Sequence, residues 1–303
     1  MYAQAAPALG AAEIAICVPS ARNVQAESIV GVDYLTFESE NLDFAAVARL
    51  SILLALFERR GDALVPVELP PVNRYDDDLL TIQRYTGKTN ELFTKLLVNV
   101  TVPDGGPITV LDPMAGRGTT LHQAVTYGWT AIGVEIDKKD CEAYRTFFGT
   151  WLKNKRLPHK AKTEKQRWSV EFAPDRAAFD AGHGRTATMI NADSRGLDAH
   201  VKKNSVEAIV TDLPYGVRHG SEGARRERSP LSLVDASLDS WTRVLRPGGA
   251  IGVAFNTFTC SRADLVGLFE SYDLEVADHG PYLQLAHRVD QSINRDIVVS
   301  RRW

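Results

Sequence analysis

From Asp104 onward, short apolar runs alternate with helix-length segments, and this alternation constrains the fold more than any other feature of the chain. The runs fall at 108–111, 131–135, 187–191, 208–211, 250–255, 274–277 and 296–300. A parallel sheet whose strands are joined by crossover helices produces such a pattern. The expectation is therefore an α/β, Rossmann-like sheet of seven strands, mostly parallel, with the last two forming a C-terminal antiparallel hairpin. This domain is expected over residues 76–303.

Residues 1–75 differ in texture. Short strands are expected at 29–32 and 34–37. A helix is expected over 42–58, where Leu42, Val47, Leu50, Leu53, Leu54 and Phe57 recur at helical spacing. Leu69-Pro70-Pro71 then reads as a linker. The segment reads as a small N-terminal α+β domain whose role its residues do not disclose. No apolar run approaches the roughly 18–20 residues that cross a bilayer, and the opening residues lack the basic start of a secretory signal. The protein reads as cytoplasmic. Cys17, Cys141 and Cys260 lie far apart, which gives neither a zinc ribbon nor a disulfide framework, and no metal site is expected. At a formal charge of −3, any nucleic acid would have to be met by local basic patches. Two are available: the stretch from Trp151 to Trp168, and the cluster Arg218, Arg225, Arg226 and Arg228.

Asp112-Pro-Met114-Ala115-Gly116-Arg-Gly118-Thr119-Thr120 joins the first run to a helical segment. Glycines at a strand-to-helix turn let the backbone approach a ligand closely, and the helix start offers free N–H groups. The spacing is not that of a dinucleotide site, and Asp112 at the strand end suits an ammonium rather than a pyrophosphate. Nineteen residues after Gly116, Glu135 ends the second run, where an acid typically accepts hydrogen bonds from ribose hydroxyls, with Ile136 beside it. These features describe S-adenosylmethionine better than a nicotinamide cofactor. Gly87-Lys88-Thr89 is no P-loop, because position 82 is Ile82 rather than glycine and no strand precedes it.

Thr211-Asp212-Leu213-Pro214-Tyr215-Gly216 follows the fourth run, at the strand end where open α/β sheets carry their chemistry. The segment resembles the motif of amino-methyltransferases that act on adenine, cytosine or guanine. The longer string TDLPYGVRHG, with DPMAGRGTTL, is similar to the tRNA guanine-N2 methyltransferases, whose members often carry a THUMP domain. The resemblance covers residues 76–303. It implies a class I S-adenosylmethionine-dependent fold in which Asp212 and the carbonyl of Leu213 hold an exocyclic amine. Pro214 would stiffen that carbonyl and Tyr215 would stack on the base, with Asp212 also bordering the cofactor. It further implies that Asp193 accepts from the cofactor's adenine amine, and that Thr86 or Thr89 contacts its carboxylate unless either simply caps the next helix. Arg218, Arg225 and Arg226 would meet substrate phosphates. His219 receives no role, because transfer from a sulfonium needs no imidazole.

The function implied is methylation of a nucleobase amine in RNA, guanine N2 in tRNA first, with tRNA as partner and room for a partner subunit. Residues 1–75 do not read as a THUMP domain. Two alternatives stay open. A DNA adenine or cytosine amino-methyltransferase shares the motif, although fewer than 90 residues follow Tyr215 to build a target-recognition region. A catalytically silent RNA-binding or partner module is the other.

Overall fold

The computed structural model describes residues 2–214 and 230–303. The chain opens with α1 (Tyr2–Cys17), a hairpin of β1 (Arg22–Ile29) and β2 (Val32–Glu38), the short α2 (Phe44–Arg49), and a second hairpin of β3 (Leu56–Arg60) and β4 (Ala63–Val67). Next come α3 (Asp78–Thr81) and α4 (Glu91–Thr101), then β5 (Thr109–Asp112), α5 (Thr119–Thr126), β6 (Thr130–Glu135) and α6 (Lys138–Asn154). A hairpin of β7 (His159–Glu164) and β8 (Arg167–Phe172) precedes α7 (Arg176–Asp180), β9 (Arg185–Asn191) and β10 (Val206–Asp212). The chain ends with α8 (Pro230–Val244), β11 (Leu245–Asn256), α9 (Arg262–Glu270), β12 (Leu274–Val276), β13 (His287–Arg288) and β14 (Asn294–Arg302).

Nine strands form one path in the order β12-β14-β11-β10-β5-β6-β9-β8-β7, with β13 also paired to β14. Strands β9, β6, β5, β10 and β11 run parallel to one another, while β14 is antiparallel to β11 and to β12. All seven expected strands are present in this class I arrangement. The sheet separates two apolar cores, and alternate residues feed each. Val110 and Val210 point into the core shared with α1, α4, α5 and α6, while Leu111 and Ile209 point into the core beneath α8 and α9. Burial on both faces is what a parallel sheet requires.

Three strands lie beyond the seven expected. The basic stretch after Trp151 folds as the antiparallel pair β7 and β8 on the edge beside β9. In β8, Trp168, Val170 and Phe172 are buried in alternation, whereas β7 is almost entirely exposed and offers no apolar face to read. Lysines on such an edge discourage pairing with another chain. The third, β13, is only two residues long. Strand β11 begins at Leu245, before the expected run at 250–255, and takes in Pro247, Gly248 and Gly249. Val206 faces Leu245 while Ala208 faces Ala250, so the strand carries extra residues there.

The N-terminal segment departs further from expectation. α1 was not foreseen, and it buries Leu9, Ala12, Glu13 and Ile16 along one face. The strand expected at 29–32 is a turn: β1 ends at Ile29, and Val30 and Gly31 both take positive φ before β2 begins. The helix expected over 42–58 is six residues long, with Asp43 accepting from the Ala45 and Ala46 N–H groups at its start. Its stop has a tertiary cause. The N–H of Ser51, which a longer helix would have used internally, donates instead to the carboxylate of fully buried Glu13 at 2.9 Å. The Ser51 hydroxyl at 2.6 Å and Asn99 Nδ2 at 2.7 Å donate to the same carboxylate. Asn99 lies on α4, so Glu13 ties the N-terminal segment to the sheet domain. Burial raises its pKa. Replacing Glu13 with leucine strands these donors, each costing about 1–3 kcal/mol. The expected loss of unfolding free energy is about 2–5 kcal/mol, measured by urea denaturation.

Candidate functional site

At the carboxyl ends of β5, β6, β9 and β10 the chain places Asp112, Glu135, Asp193 and Asp212. The strand order reverses at β5, with β6 on one side and β10 on the other, which opens a crevice at this end of an α/β sheet. The glycine-rich turn crosses it. Ala115 N–H donates to Val134 O at 3.0 Å, which hooks the turn onto β6, and Gly118 N–H closes it on Ala115 O at 2.7 Å. Gly118 caps α5 at φ 84°, and a Cβ there would stand 2.3 Å from the Tyr144 ring. No larger residue fits. Gly133 on β6 is equally confined, since its Cβ would meet Leu121 at 2.6 Å.

The acids are held individually. Glu135 accepts Gly116 N–H and Asp137 N–H at 2.8 Å each, and burial raises its pKa. Asp112 accepts Met114 N–H at 3.0 Å. Its burial outweighs this contact and lifts its pKa to about 6. Asp193 starts a short 3-10 turn and forms an ion pair with Arg195. Asn191 fastens the ends of β9 and β6 by donating to Glu135 O at 2.9 Å. On β10, Asp212 receives the Thr89 hydroxyl at 2.8 Å on Oδ2. Leu213 N–H donates to Ala254 O at 2.9 Å and its side chain is buried in the core under α8, while Pro214 faces solvent.

Of the other residues singled out by sequence, Ala115 is buried, Met114 and Thr119 are partly buried, and Ile136 is 69% exposed beside Glu135. Thr89 reaches Asp212, whereas Thr86 is exposed on a turn, and the residue capping α4 is neither threonine but Asn90. Tyr215, Gly216, Arg218, His219, Arg225, Arg226 and Arg228 lie outside the described residues. Two residues escaped sequence reasoning. Tyr85 lies over the glycine turn, its hydroxyl 3.4 Å from that of Thr119 and its ring 4.7 Å from the Arg117 guanidinium, which pairs with Asp140. Arg295, from the last strand, brings Nη2 to 3.7 Å from Asp212 Oδ2. Nothing in the local sequence marks Arg295. The position of Tyr85 inside the segment RYTGKT was the only available signal for that residue.

The profile of the RMKL-like methyltransferase domain matches residues 85–265, more than half of the chain. The chain belongs to this family. The match runs from Tyr85 through the glycine turn and the Asp212 strand. Among curated relatives, the chain is 28% identical over 170 residues to a tRNA (guanine(10)-N2)-dimethyltransferase of Methanothermobacter thermautotrophicus. That alignment covers 56% of this chain and 39% of the relative, so the chain spans well under half of the relative's length. Similar solved structures include TrmN from Thermus thermophilus, at 18% identity and a TM-score of 0.45 over 79% of this chain and 56% of that one. Trm1 from Pyrococcus horikoshii, solved with S-adenosyl-L-methionine, gives 14% identity and a TM-score of 0.45 over 78% and 59%.

The ionisation of buried Asp112 can be tested directly. Its folded pKa of about 6 exceeds the ordinary 3.8. Its contribution to stability is therefore complete below the ordinary value and is lost as pH rises through the folded one. Asp112→Asn, which cannot ionise, is expected to lose up to about 3 kcal/mol less than the parent between about pH 4 and pH 7. Chemical denaturation at the two pH values measures the difference.

Proposed function

We propose that this methyltransferase uses S-adenosylmethionine to methylate the exocyclic amine of a nucleobase in RNA, with guanine N2 in tRNA as the target. The observation that carries the reading is Asp212-Leu213-Pro214 at the end of β10, one strand from the glycine turn after β5. The curated relative's tRNA substrate supports the choice of RNA.

The donor set fits S-adenosylmethionine. Four strand ends carry carboxylates, which suit an ammonium, a sulfonium and ribose hydroxyls and oppose a pyrophosphate. Buried Asp112 lies where an amino-acid ammonium would be met. Glu135 spends one acceptor site per oxygen on backbone N–H groups, and a carboxylate has about four, leaving capacity for a ribose diol. Exposed Ile136 offers an apolar face to an adenine ring, flanked by Asp193 for its amine. Met114, Ala115, Gly116, Gly118, Thr119 and Thr120 form the rest of this surface, with Thr89 at its Asp212 end. Bound there, the cofactor supplies a methyl group made electrophilic by sulfonium.

The chain's residues prepare the acceptor. An exocyclic amine conjugated to its ring is a poor nucleophile because its lone pair is delocalised. Asp212 and the Leu213 carbonyl each accept one of its N–H groups, which favours a pyramidal nitrogen with an available lone pair. Leu213 stands where the motif more often has proline, yet its buried side chain and its bond to Ala254 fix its backbone. Pro214 limits the rotation that would turn the carbonyl away. Asp212 also faces the positive charge that develops on nitrogen as the new bond forms, and the surplus proton leaves to solvent afterwards. Tyr215 is assigned to stacking on the base, and Arg218, Arg225 and Arg226 to its phosphates.

Residues 1–75 are proposed as an accessory unit on this catalytic domain. Among the described residues no helix is long and apolar enough to cross a membrane, and a tRNA substrate places the enzyme in the cytoplasm.

Incubation with radiolabelled S-adenosylmethionine and, separately, unmodified tRNA and DNA tests the reading. Label in tRNA as N2-methylguanosine is expected. Label in DNA alone would establish a DNA amino-methyltransferase instead, and donor binding without transfer to either would point to a silent module. Asp212→Ala is expected to lower transfer by about 10²–10⁴-fold while changing donor affinity little, measured by calorimetry beside single-turnover kinetics. Donor affinity itself is expected to rise as pH passes through 6, because only ionised Asp112 attracts the ammonium.

A further inference from the structure

Arg295 occupies a position where an arginine is costly. It is 6% exposed on β14, on the face that also carries Ile297 and Val299 into the core beside α4. The next residue, Asp296, points to the other face, where it pairs with Arg262 at 3.0 Å. A guanidinium in such surroundings needs charge and ring partners. Its Cζ lies 4.2 Å from the centroid of the Phe93 ring on α4, a cation–π contact. Its Nη2 lies 3.7 Å from Asp212 Oδ2, an ion-pair distance longer than a hydrogen bond. Main-chain pairing holds Arg295 on both sides, opposite Asn256 of β11 and His287 of β13.

The geometry points to Arg295 as a positioning residue for methyl transfer, acting through Asp212. Among the described residues, Oδ2 of Asp212 is met by the Thr89 hydroxyl at 2.8 Å and by the Arg295 guanidinium at 3.7 Å. These two groups come from opposite ends of the domain and limit how the carboxylate can rotate at the strand end. Phe93 supports the guanidinium from below and belongs to the same helix that Thr89 precedes, so one helix start sets both contacts. A buried ion pair adds little to stability compared with apolar residues of equal volume. Its use here is directional: the carboxylate is presented to the amine in one orientation.

This role rests on the reading of Asp212 as the group that holds the amine. Arg295→Met keeps much of the side-chain volume and is expected to lower kcat by about tenfold or more, with KM for tRNA and donor affinity within about twofold. Arg295→Lys, which keeps the charge without the planar stack, is expected to recover part of the loss. The deciding measurement is a double-mutant cycle with Asp212→Asn, whose amide oxygen still accepts a hydrogen bond but carries no charge. In that background Arg295→Met is expected to cost less than about threefold. An equal loss in both backgrounds, or a loss matched by weakened donor binding and a lower melting temperature, would show a merely structural arginine. Full activity of Arg295→Met would overturn the role outright while leaving the proposed function intact. An unmodified protein that transfers no methyl group to any nucleic acid would instead overturn both.

Discussion

The pairing of β5 between β6 and β10 is the constraint on which the rest of the molecule depends. Because the three strands are parallel, their last residues emerge at one edge, and because the chain order reverses at β5, the connections diverge there. Asp112, Glu135 and Asp212 are brought together by this register alone, although 100 residues separate the first from the last. The neighbours of each acid then follow from the elements next to it. β6 takes hold of the glycine turn through Val134 and Glu135, and β11 takes hold of Leu213 through Ala254. The glycine turn and the first residue after β10 are thereby fixed by strands, which is the rigidity that a site relying on orientation requires.

The N-terminal segment is attached by a different kind of force. It shares the apolar core around α4, yet its fastening is polar. Glu13 is fully buried and bridges Ser51 in the N-terminal segment to Asn99 on α4, while Asn99 itself receives the Tyr127 hydroxyl at 2.9 Å. Networks of this kind are intolerant of partial loss, because each remaining donor stays buried without an acceptor. The segment is therefore held both by the apolar residues it shares with that core, Leu9, Ile14, Ile16, Val47 and Leu50 among them, and by these specific polar contacts. α4 lies between this network and the site: its far half carries Asn99, and its first turn carries Phe93 beneath Arg295.

The parallel strands and the glycine turn were legible because their signals are local. An apolar run, a strand-to-helix glycine and an acid at a set interval can each be read without knowing any partner. The elements that were missed owe their form to distant residues. The helix expected over 42–58 stops at Arg49 because Glu13, 38 residues before Ser51, captures an amide that a longer helix would have kept. β7 carries no apolar periodicity because it lies on an exposed edge, and it exists only because β8 is there to pair with it. At the site, Thr89 was among the residues expected near the cofactor, but its contact with Asp212 spans 123 positions. Arg295 lies in a strand whose surroundings read as ordinary core, and among the described residues its approach to Asp212 and to the Phe93 ring distinguishes it.

The electrostatics of the crevice then have to be reconciled with a polyanionic substrate of the kind proposed. Four carboxylates at one edge would repel phosphates if their fields reached solvent unopposed. In this fold three are met close by and the fourth is buried. Two backbone N–H groups meet Glu135, and Arg195 meets Asp193. Arg295 and the Thr89 hydroxyl meet Asp212. Asp112 is shielded by burial and has a pKa raised to about 6. Opposed charges a few ångströms apart act strongly on a ligand placed between them and weakly beyond a Debye length of about 8–10 Å. On the proposed function, the acids would select a cationic cofactor and hold a neutral amine at short range, while the flanking phosphates would lie where the paired charges are weak. Under that reading, Arg195 and Arg295 are as necessary to the site as the carboxylates they meet, because they let a crevice built from acids accept a polyanion.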